Sequence, residues 1–208
     1  MTEPVTGPGL LEQAVTYLLG GIRHVTPELM DRPTPCPGWN LRMLLSHTCE
    51  SLEALTEALG CGSVGLLPAP AVAPGTEIAS MRARCGRLLA ACAVASAGAR
   101  VSVAGRDVTG SVVICAGAVE IAVHGWDVRA VRGRPQPVPS ALAEALLRLV
   151  PPLVADGARE GLFGEPVPVP ASAPAGDRLV GFLGRCPQRP VGGRWPGGSC
   201  PGYSENGT

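Results

Sequence analysis

Two of the three histidines in this chain, His47 and His124, fall inside apolar helical patterns, where an imidazole needs a partner. Glu120 and His124 stand four apart, so on a helix they leave the same face about 6 Å apart along the axis. Val113, Ala116, Asp127 and Val131 share that face. The pair is therefore flanked by core positions, where a lone carboxylate would suffer heavy desolvation. His47, at the edge of a second apolar stripe, could bring a third ligand from across the interior. Two imidazoles and one carboxylate can hold one divalent cation with coordination positions left open, whereas structural zinc is usually closed by four protein ligands. Nothing in the residues points to redox work, so Zn2+ is the expected ion, although the same donors suit Ni2+ or Fe2+. Such an open site lowers the pKa of a bound water or thiol and polarises a substrate oxygen. On spacing alone a plainer reading stands beside this one: a helix-surface hydrogen bond between Glu120 and His124, with His47 packed in the core.

The neighbours of these residues carry paired readings too. Asp127, three residues after His124, either accepts the imidazole's other N–H and fixes its tautomer, or faces solvent beside an arginine. Arg82 could meet an anionic substrate or a thiol cofactor, or be an ordinary surface arginine. His24, near the end of the first helical pattern, is placed to interact with that helix's C-terminal dipole.

The elements that must position these groups read as an all-α protein. Residues 10–25 carry a helical stripe (Leu10, Leu11, Ala14, Val15, Leu18, Leu19). The following loop, MDRPTPCPGW, holds three prolines and a glycine, and Asn40 can then cap a second helix to about residue 59. Residues 60–75, rich in Gly, Pro and Ala, read as a crossover loop, with a third helix over 76–97. Residues 99–109 could be extended, and 110–132 form a fourth helix stopped by Gly133. Ser140 caps a fifth helix over 141–154, broken or ended near Pro151 and Pro152. Residues 177–183 form a short amphipathic turn or helix. The expected organisation is thus a four-helix bundle with a long crossover loop and short C-terminal helical and irregular appendages over residues 1–186, then a Pro- and Gly-rich disordered tail over 187–208.

The 17 basic residues, all arginine, are balanced by 17 acidic ones, and no run gathers like charges, which argues against nucleic acid as a partner. The arginine-only usage, with abundant Ala, Gly and Pro, fits a GC-rich genome. The longest apolar run, residues 111–123, is short for a bilayer and contains Glu120, and the N-terminus lacks a basic-then-apolar leader. The expectation is a soluble cytoplasmic protein, monomer or homodimer, acting on a small molecule. Eight cysteines form no CxxC pair, and most replace small apolar residues in helical patterns, so reduced core thiols are expected.

Three segments, TPCPGWNLRMLLSH (34–47), EIAVHGWDVRAVRG (120–133) and GLFGEPVPVPASAPAGDRLVGFLGRCP (161–187), together resemble the metal-binding proteins grouped with the mycothiol-dependent maleylpyruvate isomerase N-terminal domain, in the DinB/YfiT-like superfamily. The resemblance runs over about residues 10–187. It implies a DinB-like bundle in which His47, Glu120 and His124 bind the metal, with mycothiol as cosubstrate delivered as a thiolate to an electrophilic carbon. Trp39 and Trp126 flank the ligand motifs; Trp126 reads as a core filler, and Trp39 as either core or a wall of the pocket mouth. Trp39 and Arg82 are the candidate contacts to such a cofactor. The isomerase carries a further domain after its bundle, whereas this chain passes into a Pro/Gly-rich segment, so the expected reaction is S-transfer, thiol addition or isomerisation of another small electrophile, in secondary metabolism or detoxification. Two alternatives remain: a thiol-independent, metal-assisted hydrolase, cyclase or lyase, and a non-catalytic metal or small-ligand binder.

Overall fold

A helix that is apolar on every side has to be surrounded, and residues VVICAGAVEIAV can satisfy that only at the centre of the molecule. The computed structural model, which describes residues 7–65, 72–103, 105–133, 136–153 and 163–187, places them there. They lie in α4 (Gly110–Ala130), which packs against α1 (Gly7–Ile22), α2 (Leu41–Cys61) and α5 (Ser140–Leu153). α3 (Glu77–Val94) lies on α2, and α6 (Ala175–Phe182) on α5. Among the described residues α4 is the one helix long and apolar enough by composition to cross a bilayer, longer than the run counted above, but 72% of its 18-residue apolar window is buried inside the protein.

α1 and α4 approach closely at Gly125, where a Cβ would stand 3.0 Å from the Tyr17 ring and 3.2 Å from Leu18 Cα. The hydrogen there lets the stripe of α1 (Leu11, Val15, Leu18, Ile22) seat fully against α4. α1 starts and stops about one turn earlier than the stripe suggests, because the chain turns at His24, whose N–H reaches Gly21 O, before a 3-10 turn at Pro27–Leu29. α2 begins as expected: Asn40 Oδ1 accepts from the Met43 N–H at 2.9 Å. The proline-rich loop before it is ordered by Thr34, whose hydroxyl donates to Trp39 O at 2.9 Å and whose N–H reaches the same oxygen. That closed turn places Cys36 and Trp39 at the head of α2.

The segment expected to be extended is a hairpin, β1 (Arg100–Val103) antiparallel to β2 (Arg106–Thr109), with Arg100 opposite Thr109 and Val103 opposite Arg106. Its Val101 packs on Ala58 and Val113 in a small satellite core. α5 carries Pro151 and Pro152 in its last turn and ends at Leu153, since each proline lacks the N–H that would reach the carbonyl four residues back and the helix cannot propagate past them. The tail expected over residues 187–208 lies, but for its first position, outside the described residues, as does part of the crossover loop.

The C-terminal arm, residues 163–187, folds back on itself around α6. Val167 N–H reaches Gly181 O at 2.9 Å, and Gly184, at φ 83°, crosses Gly164 so closely that a Cβ would come within 2.7 Å of the Gly164 Cα. Backbone conformation and space both demand glycine. Gly184→Ala is expected to destabilise the protein by roughly 3 kcal/mol, combining a left-handed alanine with overpacking against backbone; a melting temperature unchanged by this substitution would show that the crossing is not tight.

Candidate metal centre

His47 comes from α2, and Glu120 and His124 from successive turns of α4. One ligand atom from each lies within 4.8 Å of the others. His47 Nε2 is 3.4 Å from Glu120 Oε1, and two ligands about 2.1 Å from one ion at the tetrahedral angle stand roughly that far apart. The two imidazole rings are 5.2 Å apart, centroid to centroid, and nearly perpendicular at 87°. Ser51, one turn after His47 on α2, donates its hydroxyl to Glu120 Oε1. Burial pushes the Glu120 carboxyl up, but the hydrogen bond to His47, the charge of His124 and the Ser51 hydroxyl together hold it below its ordinary range. It is a carboxylate, the form a metal binds.

Behind His124 stands a second, fully buried layer. His124 Nδ1 lies 3.1 Å from Asp127 Oδ2; since a carboxylate only accepts, Nδ1 is the protonated nitrogen and Nε2 is left for a ligand. Arg185, from the C-terminal arm, meets the same carboxylate through Nε at 3.2 Å and Nη2 at 2.9 Å. Burial raises Asp127, but the Arg185 charge and the hydrogen bonds from His124 and Arg185 outweigh it and bring the carboxyl to about 2. The two sequence readings of Asp127 thus merge: it holds the histidine and pairs with an arginine, but it is buried, not solvent-facing.

Cys36, His124 and Asp127 also lie close enough together to suggest a second cation site. That position already holds a cation. Arg185 Nη2 donates to Cys36 Sγ at 3.3 Å as well as to Asp127, so a metal there would have to displace a buried guanidinium from its carboxylate. The Cys36 thiol donates to Asp127 Oδ2 at 3.3 Å, and burial, then the Asp127 charge, push it up to about 12 against the opposing pull of Arg185. It is a protonated thiol and a poor nucleophile at neutral pH.

These groups open on a cavity of about 510 Å3 that includes Trp39 in its wall. The Trp39 ring stands 4.8 Å from that of His47 at 64°, which places it as a pocket wall, while Trp126 is a fully buried core residue, as expected. Arg82 is exposed on α3 and does not line the cavity; its assignment as a cofactor contact is corrected, and the arginine in the cavity wall is Arg185. His24 lies exposed just beyond the end of α1, where its Nε2 accepts from Arg23 Nε at 2.8 Å, and desolvation followed by the charges of Arg23, Arg132 and Arg129 lowers its pKa. Of the cysteines, Cys49, Cys85 and Cys92 are buried free thiols, as expected, but Cys36 and Cys115 are only partly buried, Cys61 is exposed and Cys186 is disulfide-bonded. Ser51, Cys36 and Arg185 are the site residues that sequence reasoning missed. Only Ser51 carried a signal, its four-residue spacing from His47 on the same helix face.

A helical bundle that gathers two imidazoles and a carboxylate from neighbouring helices in the wall of a cavity has the architecture on which bundle proteins build metal sites. The chain belongs to the mycothiol maleylpyruvate isomerase N-terminal domain family, whose model matches residues 11–129. Among solved structures it resembles the mycothiol-dependent maleylpyruvate isomerase, at 16% identity and a TM-score of 0.52 over 67% of this chain and 65% of that one. At that identity the likeness is one of fold, and this chain covers a little under two thirds of the isomerase. No curated protein matches the sequence.

Proposed function

We propose that this protein is a divalent-metal enzyme in which His47, Glu120 and His124 hold the ion, with Zn2+ the best fit, and in which a low-molecular-weight thiol of the mycothiol type adds to a small electrophile. The observation that carries this reading is the convergence of three donors from two helices, within 4.8 Å of one another, in the wall of a cavity. A bound dication supplies thiolate at neutral pH and polarises a substrate oxygen. The protein's own residues do the rest. Asp127 holds His124 in the tautomer that presents Nε2, Ser51 orients the Glu120 carboxylate, and the Trp39 ring beside His47 screens the ligand from water. Cys36, the thiol among the described residues at the cavity, is kept protonated by its surroundings, which leaves the nucleophilic sulfur to a second molecule. S-transfer, thiol addition and isomerisation through an adduct all begin with that same S–C bond.

The test is turnover of a panel of small electrophiles by the metal-containing protein, with and without mycothiol. Thiol-dependent consumption is expected. Turnover of equal rate without any thiol would replace this mechanism with metal-assisted hydrolysis, cyclisation or elimination, and metal retention with no turnover at all would leave a binding protein.

A further inference from the structure

Arg185 joins three parts of the chain that are far apart in sequence. It stands on the C-terminal arm just past α6, where its backbone N–H reaches Val180 O at 2.9 Å and its Nη1 donates to Leu183 O at 2.7 Å. Both bonds satisfy carbonyls at the C-terminal end of α6, which anchors the base of the side chain. The crossing of Gly184 over Gly164 fixes the backbone one residue earlier. From that anchorage the guanidinium reaches two other elements. Nε and Nη2 donate to the two oxygens of Asp127 on α4, and Nη2 also donates to Cys36 Sγ at 3.3 Å in the loop before α2. Cys36 closes the triangle by donating to Asp127 Oδ2.

Each branch of this fork leads to one of the two imidazoles. Asp127 Oδ2 accepts from His124 Nδ1, so the first branch fixes the ring on α4. The second fixes the turn 34–39: the Cys36 N–H reaches Thr34 Oγ1 at 3.2 Å, Cys36 O accepts from the Trp39 N–H at 3.1 Å, and the Trp39 ring lies 4.8 Å from His47. The half-exposed His47 ring thus stands between Trp39 and His124. Donors held in their bound orientation before a ligand arrives lose less freedom on binding it. Lysine could not replace the fork, because an ammonium is a point charge, whereas the planar guanidinium directs its donors to separate acceptors.

We infer that Arg185 is a positioning residue for the metal centre, a clamp that sets His124 through Asp127 and His47 through the Cys36–Trp39 turn. Ligands borne on two helices are thereby aligned by a third segment, the C-terminal arm. The inference rests on the proposed function for the role of the two imidazoles as ligands. An ion pair that served folding alone would leave the metal affinity of the folded protein unchanged as long as the charge is kept.

Arg185→Lys and Cys36→Ala, made in the full-length protein and stripped of metal, separate these roles. Zn2+ affinity is read by chelator competition and ligand geometry by the visible absorption of the Co2+-loaded protein, at a temperature where circular dichroism shows each variant folded. Arg185→Lys keeps a charge beside Asp127 and is expected to lower Zn2+ affinity at least about tenfold and to alter the Co2+ bands. Cys36→Ala cuts the connection to the turn but leaves the pair with Asp127, so a smaller loss of affinity is expected. In the metal-free protein both substitutions are expected to speed amide exchange at residues 34–39. Wild-type affinity and Co2+ bands in folded Arg185→Lys overturn the inference, as do wild-type exchange rates at residues 34–39 in both variants. If Arg185→Lys does not fold, Cys36→Ala decides, and wild-type affinity there overturns the clamp. If the wild-type protein takes up neither ion, it is the proposed function that fails, and the exchange rates of the metal-free proteins then decide the clamp by themselves.

Discussion

Protein carrying His47→Ala is expected to lose its divalent metal on purification, with affinity reduced by well over a hundredfold. Substituting residues that merely support metal ligands typically lowers affinity 10–100-fold, and removing a direct ligand exceeds that. His47 is the informative position because its side chain is 38% exposed, whereas Glu120 is hydrogen-bonded to a second helix through Ser51 and His124 is almost wholly buried against Asp127. Its replacement leaves little cavity and no unpaired buried group, so the metal-free forms of wild type and variant are expected to melt within about 2 °C of each other. Elemental analysis of the purified proteins, with a chelator competition for affinity, reads the result. Near-stoichiometric metal in the variant would remove His47 from the centre.

Asp127→Asn is expected to be the most damaging conservative substitution in the chain. It keeps the shape of the side chain but strands the Arg185 guanidinium, buried and charged, without its carboxylate. Breaking a buried pair from one side typically costs 3–5 kcal/mol, and at about 2–4 °C per kcal/mol for a protein of this size the melting temperature should fall by roughly 10 °C. The double variant Asp127→Asn with Arg185→Met is expected to recover at least half of the loss, because the stranded charge is gone; a double variant as unstable as the single would mean that the hydrogen bond to His124 matters more than the ion pair. Acid should reveal the same pair. The folded carboxyl lies at about 2, below its ordinary 3.8, so its contribution to stability is complete above about pH 4 and disappears as pH falls through the folded value. The gap between wild type and Asp127→Asn should therefore narrow between about pH 4 and 2.

The ligand helices were legible because their patterns are local. Asn40 announces α2, the apolar stretch before Gly133 marks a fourth helix, and the Glu120/His124 spacing is visible in any single-sequence reading. The convergence of His47 on that pair needed the fold. Arg185 was illegible for a different reason: it acts across 58 residues, from an arm with no helical periodicity of its own at that point, and its partner Asp127 offered equally good local alternatives. Cys36 looked like one more small apolar substitute, and its position in the cavity depends on the Thr34 turn folding a proline-rich loop against α2. Arg82 failed because a helical arginine carries no sign of which way it faces until the packing of α3 on α2 is known. Arg84, two positions on, is the one turned inward, where it donates to Cys49 O.

The enclosure of α4 by α1, α2 and α5 has a kinetic consequence. Two of the three donors sit on the segment least able to fray, since partial openings begin at termini and loops and reach a central helix last. An ion seated there leaves either through the cavity mouth, past His47, or when the whole bundle comes apart. His47 is thus the hinge of exchange: the residence time of the ion should follow the motions of one half-exposed imidazole and not those of the scaffold.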